Sequence, residues 1–315
     1  MIKRRTVEFF GIVVFSLFII GCLWYRENAT LFHKASTSKI QKSKIQIAAS
    51  FYPLYFFASQ IAGDKANVIN ITPAGTEPHD YEPTPLDMAR IEHSSLLILN
   101  GGKLEAWGDK VKDALKDKNI MIMTIAEDGI TGSLSDQGEA AKDPHFWLSP
   151  PLAKKLVEVI LSGLIKIDPM NQAVYIANAK TLHNTLDALD ARYQQGLRNC
   201  RKKNIITSHA AFGYVAQTYG FTQIAISGLS PDEEPSSKTL VDIAKFAREN
   251  SIRYIFFEKL ISPKISETIA HEIGAQTLVL DPIEGMSEYD VKQGKNYVTA
   301  MDDNLVNLRK ALECE

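Results

Sequence analysis

IQIAASFYPLYFFASQIAGDKANVINI, residues 45–71, decides the fold. Ile45 to Ala49 is an apolar run of strand length. Pro53 to Ala62 is helical, and Gly63 ends it, because a residue without a Cβ enters the left-handed conformation that closes helices. Val68 to Ile71 reads as a second strand. Strand, helix and strand in so short a stretch start a βα series, which builds a parallel sheet covered by helices.

The same alternation continues outward. Thr84-Pro85 opens a helix, since Thr caps well and Pro suits the first turn. Leu96 to Leu99 and Ile120 to Thr124 are further strands, followed by a polar loop from Asp128 to Asp143. The character then changes. Ser149-Pro150-Pro151 opens a helix to about Ile165, and Asp168-Pro169 opens another to about Arg198. At 1.5 Å per residue the latter spans about 43 Å, enough to join two lobes. A second series follows, with strands at 204–207, 223–226, 254–257 and 276–280. Its helices fall at about 238–250 and 262–273, and a last helix at about 298–312 closes the chain. The expected fold class is α/β, with two βα lobes of parallel-type sheet joined by one long helix. The lobes are placed at 45–167 and 201–315, and the linking helix at 168–200.

Lys3, Arg4 and Arg5 precede an apolar run from Phe9 to Ile20, too short for a comfortable membrane span and suited to a secretory signal. The run ends in Ile19-Ile20-Gly21-Cys22, which resembles a bacterial lipobox. The expectation is a signal peptide at 1–21, lipidation at Cys22 and a flexible spacer over 22–44. An uncleaved anchor with an incidental Cys22 is the alternative. The net charge of -2 provides no basic field for nucleic acid. Cys200 and Cys314 are the remaining cysteines; whether they pair stays open, because sequence gives no distance between them. Without a CxxC pair, a thiolate metal site is not expected.

Three histidines stand in loops just after a strand or before a helix: His79 in Glu77-Pro78-His79-Asp80-Tyr81-Glu82-Pro83, His145 in Asp143-Pro144-His145-Phe146-Trp147, and His209 in Thr207-Ser208-His209-Ala210. Asp281 ends the last strand, and Glu284 follows three residues on. Ligands of parallel α/β sheets bind beyond the carboxyl ends of strands. Three imidazoles and a carboxylate suit four-coordinate zinc. By contrast His33 lies in the spacer, and His93, His183 and His271 lie in or at the ends of helices, as surface or packing residues do. A loop histidine alone is usually solvated, so it is the three together that point to metal capture. Phe146 and Trp147 either shield such a site or simply fill the core. The acidic run in Pro231 to Pro235 reads as a solvated loop.

Several stretches together resemble the zinc/manganese-binding lipoproteins of bacterial ABC transporters, closest to the zinc-uptake branch. They are Phe51-Tyr52-Pro53-Leu54, the three histidine motifs, Gly228 to Ser236, Ile255-Phe256-Phe257-Glu258 and Leu280-Asp281-Pro282-Ile283-Glu284-Gly285. The likeness covers nearly everything from Ile45 to Leu312. It implies a rigid linking helix, metal held in the interlobe cleft, and His79, His145 and His209 as ligands. It also implies a monomeric, lipid-anchored extracytoplasmic receptor, not an enzyme, that delivers Zn2+ to an ABC permease with its ATPase. In the manganese branch the third position is usually a glutamate, so His209 points to zinc; Mn2+ or iron is the alternative cargo. Relatives complete the shell with the carboxylate matching either Asp281 or Glu284, and Asp281 is favoured for its place at the strand end. Glu77 and Glu258 are expected behind the ligands or in place of one. The chain departs from many zinc receptors in that its Asp128–Asp143 loop holds no histidine. A zinc hydrolase, with Glu258 or Glu284 as base, is the rival class, though no HExxH is present.

Overall fold

The computed structural model describes residues 44–128 and 143–315. The expected signal peptide, Cys22, nearly all of the spacer and most of the polar loop lie outside the described residues. The first sheet comprises β1 (Ile45–Ala49), β2 (Ala66–Asn70), β3 (Leu96–Leu99) and β4 (Met121–Thr124), all parallel in the order β2-β1-β3-β4. β2 begins two residues earlier than its apolar run. It is an edge strand, and its polar Asn67 joins through a side-chain bond from Nδ2 to Gln46 Oε1 (2.6 Å).

Between the strands run α1 (Tyr52–Ala62), α2 (Pro85–Glu92) and α3 (Gly108–Leu115), with a single turn, α4 (Ile125–Asp128), after β4. α1 stops at Gly63, whose φ of 54° is in the left-handed region, as expected from sequence. α2 starts at a capping box formed by Thr84 and Asp87. α5 (Pro150–Ile167) and α6 (Gln172–Leu197) follow as an antiparallel pair. α6 begins later than expected, after a 3-10 turn at Pro169–Asn171, because the Asp168 carboxylate turns back to accept from Asn171 Nδ2 and Tyr175 Oη. Its 26 residues span about 39 Å.

The second sheet repeats the first topology: β5 (Asn204–Thr207), β6 (Thr222–Ala225), β7 (Tyr254–Phe257) and β8 (Gln276–Val279), parallel in the order β6-β5-β7-β8. Its helices are α7 (Gly213–Tyr219), α8 (Ser237–Glu249), α9 (Lys264–Ile273), α10 (Glu288–Lys292) and α11 (Tyr297–Ala311). Strand side chains alternate between faces. Leu96 and Ile98 therefore join the main core, while Leu97 and Leu99 pack outward with Ile91 and Trp107. The main core is continuous between the lobes, running from Ile47 and Phe57 through Leu186 and Tyr193 of α6 to Phe256 and Leu308.

Two long-range features go beyond the sequence expectation. Tyr297, at the start of α11, packs on Phe56 and Phe57 of the first lobe at ring-centroid distances of 5.4 and 4.8 Å. Cys200 and Cys314, whose pairing was open, form a disulfide that ties the end of α6 to the chain's last residues across 114 positions.

Candidate metal centre

An open α/β sheet binds ligands beyond its carboxyl edge, where strand order reverses. In the second sheet the reversal lies between the neighbours β5 and β7. His209 follows β5, and Glu258 follows β7 directly. The His209 ring points Nδ1 at Glu258 Oε1 (2.5 Å), and Ser208 Oγ donates to the same oxygen. In the first sheet the reversal lies between β1 and β3. There the buried Glu105 carboxylate accepts from Ser50 Oγ (2.5 Å) and the backbone N–H groups of Asn100 (2.7 Å) and Gly101 (3.1 Å). Gly101 has φ +77°, and a Cβ there would meet Thr124 Cγ2 at 2.5 Å, so only glycine fits. This turn aims Asn100 Nδ2 at the carbonyl of Pro144 (3.1 Å), which anchors the segment carrying His145. Asp143 Oδ1 then accepts from the His145 backbone N–H (2.9 Å) and faces its Nδ1 (2.7 Å). His79 arrives on the loop after β2, where its backbone N–H donates to Glu77 Oε1 (3.2 Å).

These loops bring His79, His145, His209 and Glu284 together, with one ligand atom from each lying within 4.8 Å of the others. Glu284 Oε1 is 3.0 Å from His145 Nε2 and 3.5 Å from both His79 Nε2 and His209 Nε2. His145 Nε2 and His209 Nε2 are 3.3 Å apart. A tetrahedron with metal–ligand bonds of about 2.0–2.1 Å has edges of about 3.3 Å, close to these four spacings, while the two from His79 to the other imidazoles lie within 4.8 Å. His145, His209 and Glu284 are fully buried. His79 Nε2 and both Glu284 oxygens are buried without a hydrogen bond of good geometry, even though the ion-pair distances are short. Polar atoms so crowded and so poorly aligned with one another converge on a common point, which is how ligand atoms are arranged.

The charges of the site are coupled. Burial would raise the Glu284 carboxyl and lower the His145 and His209 imidazoles. The ion pairing outweighs it: the His209 charge, and the His145, His209 and His79 rings close around the carboxylate, hold Glu284 well below the usual carboxylate range. Glu258 and Glu284 lift His209 well above its ordinary value against burial, and Asp143 and Glu284 lift His145. Burial and then the Glu284 charge push Glu77 up to about 9.

Asp281, favoured in sequence as the fourth donor, is not in this group. Its Oδ1 accepts from the Ile283 backbone N–H (2.8 Å) and its Oδ2 pairs with Lys259 (3.1 Å). The turn from Asp281 to Glu284 carries the chain further, and the later carboxylate enters the cluster. Glu258 Oε1 lies behind His209 at its Nδ1, and Glu77 Oε1 accepts from the His79 backbone N–H. Asp143 went unremarked as a partner of His145, although an Asp-Pro-His sequence places an acceptor two residues before the ring. Trp147 packs its ring 5.3 Å from that of His145 and is fully buried, so it both fills the core and walls the site.

Residues 47–311 match the family described as zinc-uptake complex component A, periplasmic. The chain belongs to this family. It is 36% identical over 311 residues to the zinc-binding lipoprotein AdcA of Streptococcus pneumoniae, covering 95% of this chain but only 60% of that protein. It is 38% identical over 280 residues to the high-affinity zinc uptake system protein ZnuA of Bacillus subtilis, covering 85% of this chain and 88% of that one. The crystal structure of the Zn(II)-bound ZnuA-like domain of S. pneumoniae AdcA superposes with a TM-score of 0.75 at 39% identity, covering 86% of this chain and all of that domain. The zinc-uptake component A fold thus accounts for both lobes and the helix between them.

Proposed function

We propose that this chain is an extracytoplasmic zinc receptor that delivers its ion to an ABC permease with an attached ATPase. In this reading His79, His145, His209 and Glu284 are the ligands of the transported zinc. The observation that carries it is the buried group of four donors, all within 4.8 Å of one another, in which Glu284 Oε1 lies 3.0–3.5 Å from the three imidazoles. The zinc-binding relatives support it. The lobes at 45–167 and 201–315 close on the ion around the 168–200 helix, and lipidation of Cys22 anchors the monomer to the membrane.

Chemistry chooses the metal. Three imidazole nitrogens and one carboxylate suit zinc, which has no geometric penalty in a tetrahedral shell, whereas manganese takes oxygen-rich shells. Asp143 and Glu258 fix the rear nitrogens of two rings, so that each presents Nε2 inward as the neutral, metal-binding tautomer. Four protein donors leave no coordination position for a reactive water, which sets a carrier apart from a zinc hydrolase. The test is metal analysis of purified protein, followed by competition. One zinc per chain that equimolar Mn2+ does not displace is the expected result. A preference for Mn2+ would overturn the zinc reading.

A further inference from the structure

We infer that Asp281 is the positioning residue of the site: it holds the turn that delivers Glu284 to the metal, without touching the metal itself. This inference rests on the reading of Glu284 as a ligand. Ile283, immediately before Glu284, has φ +59° and is fully buried. A β-branched residue stays in the left-handed region only where its surroundings hold it there. Asp281 supplies the restraint. Its Oδ1 accepts from the Ile283 N–H at 2.8 Å, an Asx turn that fixes the backbone two residues on.

The rest of the turn is fastened around that bond. Asn304, buried on α11, bonds Asp281 twice: Oδ1 accepts from the Asp281 N–H (2.8 Å) and Nδ2 donates to its carbonyl (2.6 Å). Trp147 Nε1 donates to the Pro282 carbonyl (2.8 Å), and Tyr297 Oη donates to the Trp147 carbonyl (2.6 Å). The Asp281–Glu284 turn of the second lobe is thereby clasped to the segment that carries His145. Lys259 Nζ, 3.1 Å from Asp281 Oδ2, leaves the other oxygen to the Ile283 N–H. No contact in this arrangement brings the Asp281 carboxylate to an imidazole. Its effect on metal passes through the direction in which the chain leaves Ile283.

A double-mutant cycle tests this, with zinc competed against a chromophoric chelator for the wild type, Asp281→Ala, Glu284→Ala and the double variant. Asp281→Ala is expected to weaken zinc binding about 10–100-fold, as loss of a residue supporting a ligand does. Made on Glu284→Ala, the same change should move the dissociation constant less than about twofold, because no carboxylate remains to position. Asp281→Asn keeps the Oδ1 acceptor and loses only the partly exposed Lys259 pair, a loss of at most about fivefold. Should Asp281→Ala fail to fold, Asp281→Leu, which also lacks the acceptor but fills the buried space, replaces it in the cycle. The inference is overturned if the Asp281 change retains its full effect in the Glu284→Ala background, or if Asp281→Asn binds zinc as poorly as Asp281→Ala. A wild-type protein that binds no zinc would instead overturn the proposed function.

Discussion

Replacing Glu258 with Gln tests how the carboxylates behind the histidines work. The Glu258 carboxylate is nearly buried and lies 2.5 Å from Nδ1 of the fully buried His209. Gln keeps a hydrogen-bonding group of similar shape and removes the negative charge. Two consequences of opposite sign follow. Without the charge the imidazole is a weaker donor, and zinc affinity at about pH 8 should fall about 10–100-fold, or about 1.4–2.8 kcal/mol. Glu258 is also the foremost of the charges that lift His209 above its ordinary value. In the variant the ring therefore holds its proton less tightly, and protons compete with zinc only at lower pH. Chelator competition from about pH 8 down to pH 5.5 should show the wild type losing affinity earlier, so that the two curves converge on acidification. Equal affinities at the alkaline end, or a gap that widens toward acid, would refute this account of the site.

Replacing His79, His145 or His209 with Ala should weaken zinc binding by orders of magnitude in a chelator assay. The same change at His183, which pairs with Glu158 on the surface, or at the exposed His271 should leave binding unaltered. The metal-free protein should lose stability as pH rises. Groups with raised native values, such as His145, His209 and Glu77, bind more protons folded than unfolded, so their stabilisation is present below their ordinary values and is lost as pH climbs through the raised ones. Glu284, held low, acts oppositely and only in acid, where its stabilisation is lost as pH falls through its depressed value. Melting temperature measured with a chelator present should thus decline from about pH 6.5 toward 9, and saturating zinc should abolish the decline. Reducing the Cys200–Cys314 disulfide should cost about 2–4 kcal/mol, because it frees a long loop in the unfolded chain, and calorimetry should show a melting point lower by several degrees.

Local signals carry the parts of this protein that depend on local physics. The βα alternation, the Gly63 stop, the Thr84-Pro85 helix start and the placing of His79, His145 and His209 in loops at strand ends or helix starts all follow from side-chain periodicity and backbone preference within a few residues. The same signals favoured Asp281 over Glu284 for its place at the strand end, whereas the carboxylate grouped with the three histidines is Glu284. Between the two carboxylates Ile283 holds a left-handed conformation, and Asn304, Trp147 and Lys259, brought from distant parts of the chain, bond the residues just before it. The disulfide across 114 positions and the packing of Tyr297 against Phe57 are likewise long-range. Sequence determined which donors exist and which loops carry them, because those are properties of neighbours along the chain. Only the tertiary structure decided which carboxylate points inward, because the direction of a side chain leaving a turn is set by whatever packs against that turn.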